Sequence, residues 1–126
     1  MITHTVRDPD INPGTIRARA AYTMTTQRLI VHLAKEYTDE TINCHERSVG
    51  VKRGRLVGRV VHHGVGAELA TTAEDARAHI LAAEVVLDGL KALKAAHGDW
   101  STDTVGRMGK YLDEVKTSHA RKWAWK

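Results

Sequence analysis

The chain has 126 residues, enough for one domain whose core needs neither metal nor disulfides. Its 42% hydrophobic and 27% charged residues are an ordinary soluble composition, and a single cysteine, Cys44, excludes an intrachain disulfide and fits a reducing compartment. The net charge of +4 is uneven: residues 1–65 hold ten Lys or Arg against six Asp or Glu, while residues 66–126 hold nine of each.

Such asymmetry points to a polyanionic partner, with a merely soluble surface as the plain alternative. No apolar run approaches the length of a membrane span, and the opening MITHTVRDPD lacks the apolar stretch of a signal peptide. A cytoplasmic protein with no membrane contact is expected.

Residues 1–14 contain both prolines, Pro9 and Pro13, together with Asp8, Asp10 and Asn12, and read as an extended arm. Residues 15–24 alternate, with Ile16, Ala18, Ala20, Tyr22 and Met24 in step, which predicts a half-buried strand. A helix, favoured by Arg and Ala, is the alternative there. Residues 27–37 fit two periods. A strand would align Leu29, Val31 and Leu33; a helix would align Leu29, Ile30, Leu33, Ala34 and Tyr37. The Ile30-Val31 pair and the neighbouring strand signals favour the strand, which leaves residues 38–41, TDET, as a turn.

The sharpest signal is residues 46–63, ERSVGVKRGRLVGRVVHH. Two valine-rich runs flank Arg53-Gly54, the pattern of a tight β-hairpin with glycine supplying positive φ. Pairing outward puts Val49, Val51, Leu56 and Val60 on a core face. The opposite face carries Lys52, Arg55 and Arg59, with Arg53 at the tip. Residues 47–63 contain five Lys or Arg and no Asp or Glu. Gly50, Gly54 and Gly58 also spell GxxxGxxxG, a packing face in an apolar helix. Charged residues interrupt it, so the hairpin explains Gly54 better. Gly64-Val65-Gly66 reads as a bend, with a strand resuming at Glu68-Leu69.

The C-terminal half is helical by pattern. Thr71 and Glu74 fit a capping box, Ile80, Ala83, Val86, Leu87, Leu90 and Leu93 form a stripe, and Gly98 is a natural stop. Ser101 suits an N-cap for a second helix bearing Val105, Met108, Leu112 and Val115, with Trp100 stapled to Val105. The predicted fold is therefore α+β. An arm at 1–14 precedes one domain at 15–126, with an antiparallel meander of about three to four strands within 15–70 and an antiparallel helical hairpin from 73–97 and 101–121.

No motif names an activity. Cys44-His45 and His62-His63 lack metal-ligand spacing, and no nucleophile has an evident base, so neither a cofactor nor catalysis is expected. The leading expectation is a small nucleic-acid-binding protein, insensitive to sequence. Lys52, Arg53, Arg55 and Arg59 of the hairpin would contact phosphates, joined by Arg121 and Lys122 beside Trp123 and Trp125. The alternative is a structural or interaction protein, such as a shell subunit or an inhibitor of a nucleic-acid-handling complex. It would oligomerise through its helical hairpin and use its basic face on an acidic protein surface. Leu81 and Val85, outside the main stripe, favour a homo-oligomer on either reading.

Overall fold

The computed structural model describes residues 25–98 and 100–124, and among them it contains four α-helices and no strand. They are α1 (Thr26–Asn43), α2 (Val49–Leu69), α3 (Ala73–Ala96) and α4 (Thr104–Trp123). The expected β-meander is therefore wrong across residues 25–70, and the α+β class is replaced by a helical bundle. The arm at 1–14 and the strand at 15–24 lie outside the described residues.

Each helix opens on a side-chain cap. Thr25, Ser48, Thr72 and Asp103 accept from the backbone N–H three residues on, at Arg28, Val51, Asp75 and Gly106. Two of these caps differ from expectation. The cap of α3 is Thr72 rather than Thr71, and that of α4 is Asp103 rather than Ser101. Gly98 does not end α3 in a left-handed turn, since no described glycine has positive φ. The helix closes instead at His97, whose N–H reaches the Leu93 and Lys94 carbonyls.

The β-hairpin fails because its turn lies inside α2. Arg53-Gly54 is helical, and so are Gly64-Val65-Gly66 and Glu68-Leu69. Six valines and five glycines make α2 a poor helix by intrinsic propensity. Burial overrides propensity here. Lys52, Leu56, Val60, His63 and Ala67 recur at spacings of three and four and are all buried, so one helical face faces the bundle. Likewise the TDET segment is not a turn. It lies within α1, where Thr38 and Thr41 are buried and the Thr38 hydroxyl donates to the Ala34 carbonyl at 2.7 Å.

α3 is the axis of the bundle and packs on the three other helices, while α1 and α4 do not pack on each other. Its Ala76, Ala82, Ala83, Val86 and Leu90 are fully buried. Small side chains let neighbours approach closely. A Cβ at Gly89 would overlap the Thr38 methyl group, so α1 crosses α3 at this glycine. α3 and α4 run antiparallel around the short connection and are bridged by Lys116 and Glu84 at 3.1 Å, with Leu112 and Val115 buried between them.

Candidate functional site

The six cations singled out in the sequence do not form one face. Lys52 is buried, and its Nζ donates to the Ile42 carbonyl at 2.7 Å, capping the C-terminal end of α1. Arg59 lies 4.0 Å over the Tyr37 ring, and Arg53 lies 5.3 Å over the Trp100 ring. Lys122 reaches the Glu68 and Ala70 carbonyls at 3.4 and 3.3 Å, closing the end of α2, and sits 5.1 Å over Trp123. Arg55 and Arg121 are exposed. Helical periodicity explains the outcome. Lys52 and Arg59, seven residues apart, share the side of α2 that meets α1, so the presumed cationic face is largely a packing face.

Three histidines gather where α2 meets α3. His63 Nδ1 and His79 Nδ1 are 3.2 Å apart, and the His62 ring meets that of His63 edge-on at 5.1 Å. One Nδ1 must donate and the other accept, which requires at least one neutral ring. Burial, followed by the neighbouring His62, His79 and Arg59, lowers the His63 pKa to about 4. Burial and His62 also lower that of His79, against the opposing pull of Asp75. Beside them is a cavity of about 220 Å³ lined in part by Tyr37 and Arg59. Among the described residues no three His, Cys, Asp or Glu side chains form a group able to hold a metal. Cys44 is free and half-buried at the end of α1.

Two apolar surfaces remain among the described residues. One is a groove of about 520 Å³ between α1 and α3, floored by Val31, Ala78 and Leu81 and edged by Arg28, Glu74 and Arg77. Leu81 is exposed there, and Val85 is half-buried further along. The second is the outward side of α2. Five large aliphatic side chains are exposed among the described residues, and four of them, Val51, Val61, Val65 and Leu69, belong to α2 at 46, 38, 43 and 75% exposure. Gly54 and Gly58 lie between them, with open space where each Cβ would be. Val51, Gly54, Gly58, Val61 and Val65 follow the three-four spacing of a helix-packing seam, and Leu69 is four residues on.

This seam escaped sequence reasoning because the hairpin pattern assigns Val51 and Val61 to strands and Val65 to a bend. Its signal was nonetheless present in the GxxxGxxxG spacing, which acquires its packing meaning once the segment is a helix. Two other glycines of α2 show what occupancy looks like: Gly64 packs under the Tyr111 ring of α4 and Gly66 against the His79 ring of α3. No described helix is long and apolar enough to cross a membrane. No protein-family model, curated protein or solved structure matches the chain.

Proposed function

We propose that this protein is a non-catalytic helical interaction protein whose working surface is the outward seam of α2. The observation that carries the reading is the concentration of exposed aliphatic side chains on one helix, around two open glycines. Scattered exposed aliphatics are normal, whereas an aligned row marks a contact surface. A helix with glycines in such a row admits another helix at close range. The surface uses α2 rather than the α3–α4 hairpin, whose Leu87, Leu90, Leu112 and Val115 are consumed inside the bundle. We place the protein in the cytoplasm, on the strength of a single free cysteine.

A polyanion partner would have to be held by dispersed residues such as Arg55 and Arg121, since Lys52 and Lys122 cap helix ends. The test is a photoreactive amino acid introduced at Val61, compared with one at the exposed Lys110 of α4, in cells producing the full chain. Protein adducts at position 61, absent at 110 and lost when Val65→Lys is added, are expected. No adduct at 61 overturns the reading. Fluorescence anisotropy with labelled DNA and RNA across a salt series is the second arm. Salt-sensitive binding that persists in Val61→Lys/Val65→Lys would favour a polyanion partner instead.

A further inference from the structure

We infer that the occupant of the α2 seam is a second copy of the same helix, antiparallel to the first, with a two-fold axis passing between Arg59 and Val60. The inference rests on the reading of α2 as a docking face and specifies its partner.

Register selects this arrangement. Along the seam the open positions, Gly54 and Gly58, occupy the N-terminal half, and the projecting ones, Val61 and Val65, occupy the C-terminal half. Turning a second α2 end for end about the midpoint brings Gly58 opposite Val61 of the partner subunit and Gly54 opposite Val65 of the partner subunit. Each pair is made twice. At the ends Val51 comes level with Glu68 of the partner subunit, one residue short of the partner subunit's Leu69, whose exposed side chain closes the aliphatic contact there. Every hole receives a side chain, and every exposed valine of the seam receives a surface.

A parallel pair does not achieve this. Glycine would face glycine in one half and valine would face valine in the other, so the helices would be held apart where the glycines leave space. The three-four spacing suits a shallow crossing of about 20°, which keeps the contact going along the helix. No charged side chain lies in the seam between Val51 and Val65: Arg55 and His62 border it on one side, and Glu68 borders its C-terminal end. Association should therefore depend on protein concentration and little on salt.

The contact is modest in size. A helix of 21 residues is about 31 Å long. One such helix offers less than the roughly 800 Å² per partner of a standard stable interface. A dissociation constant of about 1–100 µM is expected.

The experiment uses the full chain with Cys44→Ser, so that introduced thiols are the only ones. Sedimentation equilibrium should show dimers forming across the micromolar range, weakened at least about ten-fold by Val61→Lys. Gly54→Cys and Val65→Cys proteins, mixed under mild oxidation, should yield the mixed disulfide in preference to either same-site disulfide. Gly54 has open space for the new side chain, and circular dichroism confirms that each variant is helical. Same-site disulfides, or a chain that remains monomeric at several hundred micromolar, overturn the inference. A monomer whose Val61 adducts are formed with a different protein overturns the inference but keeps the docking reading. A monomer without such adducts ends both.

Discussion

Lys52 illustrates how a charged side chain can serve a fold. Its stem is buried in the seam between α1 and α2, and only the ammonium reaches a polar group, the Ile42 carbonyl. That carbonyl belongs to the last turn of α1, where no intrahelical donor is available. Replacing Lys52 with Met preserves the stem and removes the donor. The expected cost is about 1–3 kcal/mol, read from urea unfolding monitored by circular dichroism. Unchanged stability would mean that the carbonyl is satisfied without the lysine. His63 makes a second prediction. Its folded pKa of about 4 lies below its ordinary value of 6.5, so below pH 6.5 the unfolded chain binds the proton first. Stability from this group is fully present above pH 6.5, falls as pH drops towards 4, and changes no further below that. Each pKa unit is worth about 1.4 kcal/mol, which makes the total on the order of 3 kcal/mol. His62, His79 and Arg59 add positive charge around the same site, and Asp75 opposes it near His79. His63→Gln should flatten the fall between pH 6.5 and 4 in thermal melts; a fall of undiminished size would place the titration elsewhere.

At the scale of elements, glycine has opposite meanings in two helices. Gly89 in α3 is covered by Thr38 of α1, and a methyl group there would overlap a buried side chain already held by its bond to Ala34. Gly54 in α2 faces open space. Alanine should gain about 0.5–1 kcal/mol from helix propensity at either site. At Gly89 overpacking, typically about 1–3 kcal/mol, exceeds that gain. Gly89→Ala should thus lower the melting temperature and Gly54→Ala should raise it in dilute protein, both measured by differential scanning calorimetry. A rise at Gly89 as well would show that the α1–α3 crossing is looser than described, and a fall at Gly54 that its Cβ does not meet open space. The same contrast explains why α2 tolerates so many weak helix formers. Its inner row is buried by α1, α3 and α4, and tertiary packing rather than propensity supplies most of its helical stability.

Across the whole molecule, the bundle is organised as three helices around α3. α3 is capped at its start by Thr72 and carries Glu74 and Asp75 in its first turn and Lys94 in its last, in keeping with its macrodipole. α1 is fastened to this core at both ends: its N-terminal end is tied to α3 by Gln27, whose amide donates to Asp75 at 3.0 Å, and its C-terminal end is closed by Lys52. The inner sides of α2 and α3 are thereby satisfied within one chain. The outer side of α2, with Val51, Val61, Val65 and Leu69 exposed, has no such partner among the described residues.

The stripe of Ile80, Ala83, Val86, Leu87, Leu90 and Leu93 determined α3 without reference to any other helix, because a long row of strongly apolar side chains at helical spacing has one reading. The same holds for Val105, Met108, Leu112 and Val115 in α4. α2 was not legible in this way. Two of its buried positions carry Lys52 and His63, which broke the apolar stripe, while its valines and glycines fitted an alternating strand with a turn at Arg53-Gly54. Only the bundle decides that Lys52 can be buried, since the Ile42 carbonyl that receives it belongs to another helix. The candidate site followed the same rule. Its residues were visible as a glycine spacing, but which side of α2 faces outward depends on where α1, α3 and α4 pack, and local sequence carries no record of that.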